Sequence, residues 1–291
     1  MGDLVRADAV ADRVLAWHDP ATRRLPWRAG TTPYGVLVSE IMAQQTQAER
    51  AAAAWTAFMR AFPTPAALAA APVADVITAW QGLGYNRRAV NLHRCATALV
   101  AHHGGEVPDD LEALLALPGI GPYTARAVLA FAFGRDVVGV DTNVARVLAR
   151  TADRVLGRAE AQRIADDLAG TGRGADLASA LMDLGAGTCT ARRPRCDTCP
   201  LAVVCGWRGG PGPDPAAAGA HRPRAQGTWT GSSRQARGRL VDAMRAGPIS
   251  RGEAAALAGE RGQAVIDALI ADGLVEATSD GFGLAGWTGR D

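Results

Sequence analysis

The sequence predicts a mainly α-helical protein that ends in a small module of mixed helix and strand. Apolar residues make up 48% of the 291 residues, while aromatic residues make up only 5%. Long alternating runs of β-branched residues are absent, and this composition favours helices. Only the C-terminal region, residues 233–291, combines short helical patterns with a predicted hairpin.

The helical patterns follow one another along the chain and are separated by turns rich in Gly and Pro. They are predicted at about 4–18, 34–60, 66–70, 73–80, 87–103, 109–116, 122–133, 142–152, 158–170 and 175–186. A Gly- and Pro-rich linker follows at 208–232. The C-terminal module then shows helical patterns at 233–245, 250–258 and 260–272 and a β-hairpin at 275–284, which is the outline of a winged helix.

Charge and composition exclude some functions and favour others. The net charge is only +2, but five arginines and no acidic residue lie between His221 and Arg239. The chain contains no lysine, so no side-chain amine can form a Schiff base. No signal peptide or membrane span is recognisable, and we expect a cytoplasmic, nucleoid-associated monomer.

Four of the five cysteines lie within seventeen residues, at Cys189, Cys196, Cys199 and Cys205, with the spacing C-x6-C-x2-C-x5-C. A structural zinc site normally uses two tight Cys pairs or a Cys/His pair, and this segment has one tight pair and no His. The spacing therefore favours a [4Fe–4S] cluster, with a zinc knuckle or two disulfides as alternatives. Cys95 stands apart and is interpreted as a core residue.

Residues 117–121 read Leu-Pro-Gly-Ile-Gly and connect two predicted helices. Gly119 and Gly121 allow close approach of the backbone, and the amides at the start of the next helix suit a DNA phosphate. An ordinary connection between two helices is the alternative.

Two carboxylates are candidates for chemistry. Asp141 directly precedes a helical pattern, where an Asp caps the helix and is held rigid at its mouth. Glu40 lies on or beside the apolar face of its helix, where desolvation favours the protonated acid near neutral pH. The alternatives are a purely structural cap and a Glu with its head group in solvent. Gln44 and Gln45, one turn further, carry amides that can bond base edges.

Five motifs now stand in one order along the chain. They are Leu25-Pro-Trp-Arg28, Ser39-Glu40-Ile-Met-x-Gln-Gln-Thr46, Trp80-Gln-Gly-Leu-Gly-Tyr85, Leu117-Pro-Gly-Ile-Gly-Pro-Tyr123 and Val140-Asp141-x-Asn143-Val-x-Arg-Val147. Together with the cysteine spacing, they resemble the MutY-type adenine DNA glycosylases of the helix-hairpin-helix (endonuclease III) superfamily. The resemblance covers residues 4–207 and implies a helix-hairpin-helix glycosylase fold with a six-helix lobe and a [4Fe–4S] cluster lobe.

The resemblance also implies roles for individual residues. Glu40 matches the acid that protonates adenine N7, and Asp141 the carboxylate that stabilises or traps the sugar cation. Asn143 and Tyr123 match residues of the same catalytic site. Other matched positions fall into two groups: Gln45, Leu83 and Tyr85 match the wedge that replaces the flipped nucleotide, and Trp27, Arg28 and Asp183 match positions near the adenine pocket. Gln44, Gly119 and Gly121 are the further residues expected to bind DNA. Arg192, Arg193 and Arg195 lie in the cluster loop, which contacts DNA in this family.

The expected function is excision of adenine mispaired with 8-oxoguanine or guanine in double-stranded DNA, without strand cleavage. Endonuclease III-type relatives use a lysine at the position of Tyr123, and none is present here. A thymine or uracil mismatch glycosylase of the same superfamily is one alternative, and a non-catalytic iron–sulfur DNA-binding regulator is another.

The chain departs from the family pattern in two places. Asn86 replaces the second Tyr of the usual Gly-Tyr-Tyr, and the C-terminal module is too short for the NUDIX-like domain that reads 8-oxoguanine in typical relatives. The expected domains are a cluster lobe (1–28 and 138–207), a six-helix lobe with the hairpin (29–137), the linker (208–232) and the winged-helix-like module (233–291).

Overall fold

The protein is mainly helical, as the sequence predicts. The computed structural model describes residues 2–20, 24–28, 30–170, 172–221 and 227–289. Arg222 and Arg224 of the basic segment lie outside these residues. The helices are α1 (Gly2–Trp17), α2 (Pro33–Ala43), α3 (Ala48–Ala61), α4 (Pro65–Ala70), α5 (Val73–Ala79), α6 (Arg87–His103), α7 (Leu111–Ala116), α8 (Pro122–Phe133), α9 (Thr142–Ala152), α10 (Arg158–Ala169), α11 (Gly174–Gly187), α12 (Ser233–Met244), α13 (Arg251–Ala258) and α14 (Gly262–Ala271).

The single helix predicted over 34–60 is wrong, because the chain breaks it into α2 and α3. Gln44 ends α2 with extended backbone (ψ 115°), and Gln45 follows in the left-handed region (φ 54°). Neither residue type breaks a helix by its own propensity. The break instead depends on a distant partner for the carbonyl groups that it frees, described below.

One compact unit comprises residues 1–24, 109–115 and 121–224. Its core is formed where α1, α9, α10 and α11 pack against one another. The apolar side of α9 contributes Val144, Val147 and Leu148, all at most 2% exposed. This packing places the start of α9, with Asp141 as its N-cap, on the same framework as the cysteine segment that follows α11.

The second compact unit comprises residues 25–108, 116–120 and 225–291. Within it α2 packs against α3 and α6, and α6 packs against α4 and α5. The hydrophobic helix α2 is buried along nearly its whole length, from Tyr34 to Met42. The C-terminal module belongs to this unit.

The C-terminal module has the element order helix, strand, helix, helix, strand, strand. Its strands are β1 (Ile249–Ser250), β2 (Val275–Ala277) and β3 (Gly281–Leu284), and they form an antiparallel sheet in the order β1-β3-β2. The predicted hairpin is therefore present, and the order matches a winged helix. Strand β1 has no signal in the sequence, because two residues are too short for a periodic pattern and Ser250 also caps α13.

None of the described helices combines the length and apolar character that crossing a bilayer requires.

Candidate catalytic and cofactor-binding sites

Glu40 lies on α2 in the second compact unit and is only 6% exposed. Its neighbours Ser39 and Ile41 are 0% and 2% exposed, so this turn of α2 is buried as a whole. Ser39 donates its hydroxyl hydrogen bond to the Val36 carbonyl within the same helix. Glu40 is therefore a buried acid rather than a surface residue, as the sequence pattern predicted.

Two short segments of the second unit carry the residues expected to form the wedge. The glutamine turn (residues 44–47) holds Gln45, which is exposed. The wedge segment (residues 80–85) holds Tyr85, which is 43% exposed, whereas Leu83 is only 4% exposed. Gln45 (φ 54°) and Tyr85 (φ 48°) both have left-handed backbone, which costs energy for residues other than glycine.

Arg88 joins these two segments, and the sequence analysis did not single it out. Its guanidinium donates to the carbonyls of Ile41 (2.7 Å), Met42 (2.9 Å) and Gln44 (2.6 Å), which the end of α2 leaves free. It also donates to the Thr46 hydroxyl and to the carbonyls of Leu83 and Gly84. Burial lowers the pKa of Arg88 to about 10, so the guanidinium stays charged at neutral pH. One buried cation thus fixes the strained turns that follow Glu40.

Trp27 and Arg28 are half-buried residues of the same unit. The Trp27 ring packs edge-on against Trp55, with ring centroids 6.1 Å apart. The Trp55 indole N–H donates to the Gly35 carbonyl of α2 (2.8 Å). Trp27 is therefore connected to the first turn of the helix that carries Glu40.

The Leu-Pro-Gly-Ile-Gly segment, residues 117–121, connects α7 and α8. Gly119 has φ +80°, and a Cβ at this position would lie 2.8 Å from the Cβ of Asn91. Gly121 is the N-cap of α8, with Pro122 as the first helical residue. Gly119 is thus required by its backbone and by a close neighbour, and the N–H groups at the start of α8 remain the candidate anion site.

Tyr123 lies in the first turn of α8, in the first compact unit. Its hydroxyl donates to the Met182 sulfur of α11 (3.5 Å). A Cβ on Gly139 would lie 3.1 Å from the tyrosine ring, so Gly139 makes room for this side chain. The hydroxyl contact with Met182 and the close approach of Gly139 together fix the position of the Tyr123 ring.

Asp141 caps α9 and is held on both carboxylate oxygens. Its Oδ1 accepts from the backbone N–H groups of Asn143 (2.8 Å) and Val144 (2.7 Å), and its Oδ2 accepts from the Asn143 side-chain amide (3.0 Å). The capping function is therefore real and it leaves the carboxylate fixed at the mouth of the helix.

Arg146 extends this arrangement from Asn143 to the cysteine segment. Its guanidinium donates to the Asn143 side-chain oxygen (2.8 Å), the Gly185 carbonyl (2.7 Å) and the Cys189 carbonyl (2.7 Å). A Cβ on Gly185 would lie 2.8 Å from the Cβ of Asn143, so glycine is required where α11 approaches α9. A continuous chain of hydrogen bonds leads from Asp141 to Cys189.

Cys189, Cys196, Cys199 and Cys205 line one cavity, and all four are free thiols. Among the described residues, no three His, Cys, Asp or Glu side chains are grouped closely enough for a single ion. A mononuclear zinc needs all four sulfurs about 2.3 Å from one point, whereas a cluster binds each cysteine at a different iron. Burial, with the nearby thiols, raises the pKa of Cys196 and Cys199. The donor set therefore fits an iron–sulfur cluster, whose irons would hold the four thiolates together.

Arg150 supports the start of this segment and is 2% exposed. It donates to the Thr190 carbonyl (2.8 Å), the Ala191 carbonyl (3.2 Å) and the Cys189 sulfur (3.4 Å). It also forms a two-pronged ion pair with Asp214, at 2.6 and 3.1 Å. The Arg192, Arg193 and Arg195 side chains of the same loop are exposed.

Asp183, expected near the adenine pocket, lies on α11 and contacts the His18 ring nitrogen Nε2 at 3.1 Å. Both side chains are less than 10% exposed. The sequence analysis assigned no role to His18, since a single His after a helix carries no spacing signal.

Comparison with known proteins agrees with this fold and these sites. A profile of the HhH-GPD superfamily of base excision DNA repair proteins matches residues 38–156, and a profile of the iron–sulfur binding domain of endonuclease III matches residues 189–205. A solved thermostable thymine-DNA glycosylase superposes with a TM-score of 0.65 at 27% identity, covering 70% of this chain and 97% of that one. The fold and the cysteine segment therefore define a helix-hairpin-helix base excision repair protein that binds a [4Fe–4S] cluster.

Sequence relatives narrow the class further. An adenine DNA glycosylase of Mycobacterium tuberculosis is 46% identical, and the match covers 94% of this chain and 92% of the relative. The human adenine DNA glycosylase is 37% identical over 70% of this chain and 40% of its own length. The chain belongs to the adenine DNA glycosylase family.

Proposed function

We propose that the protein is a monofunctional DNA glycosylase that removes adenine mispaired with 8-oxoguanine or guanine in double-stranded DNA. The observation that carries this proposal is the burial of Glu40, an acid placed directly before the glutamine turn. Adenine is a poor leaving group until N7 is protonated, and a buried carboxyl group is suited to deliver that proton. The 46% identity to an adenine DNA glycosylase over nearly the whole chain supports the same substrate.

Asp141 supplies the second carboxylate. Departure of the base leaves positive charge on the sugar, and a negative group on a fixed framework stabilises that charge without reorganisation. The two helix N–H groups and the Asn143 amide hold Asp141 in one orientation. Asp141 then either screens the cation until water attacks the anomeric carbon or bonds to that carbon until water replaces it.

The adenine must first leave the base stack, and the wedge residues serve this step. Tyr85 and Gln45 are exposed at the ends of turns that Arg88 fixes, so they can fill the vacated space without the turns collapsing. Leu83 is buried, so it anchors the wedge segment in the protein interior.

The product is expected to be an abasic site in an unbroken strand. Strand cleavage by a side-chain amine needs a lysine, and the chain has none. The cluster would be held by Cys189, Cys196, Cys199 and Cys205. Its bonds to these four sulfurs would fix the loop that carries Arg192, Arg193 and Arg195. We propose that the protein acts as a monomer, since both carboxylates lie on this chain. We also propose that it is cytoplasmic and nucleoid-associated, since its proposed substrate is double-stranded DNA.

A thymine mismatch glycosylase is the second candidate, and the structural likeness to such an enzyme favours it. That likeness has 27% identity, against 46% for the adenine-specific relative. A non-catalytic iron–sulfur regulator has no need for Glu40 and Asp141 together, so the pair speaks against it.

A panel of duplexes under single-turnover conditions tests the proposal. We expect rapid base release from A·8-oxoguanine and A·G, slow release from A·C, and none from T·G or U·G. Heating the product in alkali should be needed to break the strand, and borohydride should trap no covalent complex. Release from T·G and U·G alone would overturn the adenine assignment in favour of the second candidate.

A further inference from the structure

The C-terminal module shares one hydrophobic core with α5 and α6, the helices on either side of the wedge segment. Ala74 and Ile77 of α5 and Val90 of α6 are at most 3% exposed. They are buried in a single cluster with residues of the module, among them Leu240, Val241, Met244, Leu269, Val275 and Leu284. The module therefore packs against the two helices that flank the wedge segment.

Arg245 connects the module to the residues that precede the wedge segment. This side chain is 8% exposed, and its guanidinium donates to the Ile77 carbonyl and to the Thr78 carbonyl (3.2 Å). Both carbonyls belong to the last turn of α5, and they also accept the backbone N–H groups of Trp80 and Gln81. Arg245 therefore fixes the end of α5, two residues before Trp80.

Asp272 connects the module to the residues that follow the wedge segment. Its carboxylate accepts from Arg237 of α12 and pairs with Arg87, the first residue of α6, at 3.4 Å. The next residue, Gly273, has φ +74°, and a Cβ there would lie 3.5 Å from Val90. Since Arg87 is 64% exposed, this ion pair is weak, and Arg245 is the stronger of the two connections.

The module lacks the charge pattern of a DNA reader. A winged helix that reads DNA usually places its last helix in the major groove, with basic residues facing the phosphates. Here α14 contains Asp267 and no basic residue, and the hairpin turn contains Asp280. Its buried contacts with α5 and α6 are the more specific feature.

We propose that the C-terminal module positions the wedge segment, with Arg245 as the main positioning residue. This inference rests on the proposed function, because the wedge acts only when a nucleotide leaves the duplex. The wedge segment contains Gly82 and Gly84 and ends in the strained Tyr85, so its direction depends on the two helix ends that hold it. The module holds both ends and thereby resists the force of the displaced duplex.

Arg245→Gln tests the inference in the full-length protein with its cluster, and Arg239→Gln is the matched control. Arg239 lies on α12, the helix that Arg245 directly follows, carries the same charge and is exposed. We expect Arg245→Gln to slow adenine release from A·8-oxoguanine about tenfold, since small misplacements cost one to two powers of ten. Arg239→Gln should match the wild type, and equal rates for both variants would overturn the inference.

A double-mutant cycle with Tyr85→Ala shows whether Arg245 acts through the wedge. If it does, Arg245→Gln has no further effect once Tyr85 is removed. Independent, multiplying effects would mean that Arg245 only stabilises the fold, and this would contradict the inference. If Arg245→Gln does not fold, Arg245→Lys keeps the charge and one donor, and it should fold and retain part of the rate.

Hydrogen exchange in the free protein separates this inference from the proposed function. Arg245→Gln should accelerate exchange of the amides at 79–86 and leave those of α13 and α14 unchanged. If the wild type releases no adenine, the proposed function is wrong, but this exchange result still decides whether Arg245 fixes the wedge segment. Unchanged exchange at 79–86 would refute the positioning function.

Discussion

The surroundings of Glu40 and Asp141 are fixed in different ways, although arginine side chains bond backbone carbonyls near both. The region after Glu40 contains strained turns, and Arg88 donates to the carbonyls of Ile41, Met42, Gln44 and Leu83, so protein atoms hold these turns. The region of Asp141 is an ordinary helix cap, but Arg146 and Arg150 connect it to the carbonyls of the cysteine segment. Glu40 is therefore followed by turns that protein atoms hold, whereas Asp141 is linked through Asn143 and Arg146 to the segment whose cysteines would hold the cluster.

The proposed base removal makes a different structural requirement of each region. The wedge turns need a rigid but strained backbone, which a single cation with many acceptors provides. The Asp141 region needs little strain, yet it must keep its orientation beside the loop that carries the four cysteines.

Loss of the cluster should have the largest effect, and it should affect only one of the two regions. In Cys199→Ala, we expect iron to be lost and the amides of α9 and α11 to exchange about 100-fold faster, because the loop that Arg146 and Arg150 bind is released. The amides of α2 and α6 should keep their protection. Cys95→Ala is the control, since Cys95 is buried away from the cavity, and equal exchange changes in α2 and α9 would contradict the division.

Arg88→Met should destabilise the second unit by about 3 kcal/mol, because it leaves buried carbonyls without donors. Denaturant unfolding measures this effect. Arg60→Met, a surface substitution at the end of α3, is expected to change the unfolding free energy by less than about 0.5 kcal/mol. A similar small value for Arg88→Met would show that the turns hold their shape without it.

Arg146→Gln should slow adenine release about tenfold while the iron content stays near that of the wild type. The shorter side chain cannot bond Asn143 and the Cys189 carbonyl together, so the Asn143 amide loses its fixed orientation towards Asp141. Single-turnover rates, normalised to iron content, measure the effect. Arg163→Gln, at an exposed position of α10, provides the charge-matched comparison, and a rate loss of equal size there would argue against the hydrogen-bond chain.

The smallest effect is expected for relief of backbone strain. Gln45→Gly and Asp153→Gly both replace a residue with positive φ (54° and 51°), and each should change stability by about 1 kcal/mol or less. Only Gln45→Gly should slow adenine release, because Asp153 merely ends α9. Melting temperatures and single-turnover rates of the pair distinguish functional strain from incidental strain.

Much of this arrangement follows from local sequence. The cap of α9, the helices after residue 62 and the predicted β-hairpin agree with the structure, because residues such as Asp141 act on their near neighbours. The buried position of Glu40 also followed from helical periodicity.

Other features depend on residues far apart in the chain and left no local signal. The break after Ala43 involves Arg88, which lies more than forty residues later. The contact of the C-terminal module with α5 includes Arg245, 168 residues from Ile77. An arginine in a helical pattern is normally interpreted as a surface residue, so burial of Arg88, Arg150 and Arg245 appears only in the folded chain.

The most direct test of the central claim compares Glu40→Gln and Asp141→Asn on an A·8-oxoguanine duplex, with release rate and binding affinity measured in parallel. Each substitution keeps the size of the side chain and removes an acidic group. We expect each to slow adenine release by about 10³-fold while affinity for the duplex changes less than about threefold. Release at the wild-type rate by either variant would contradict the two-carboxylate account.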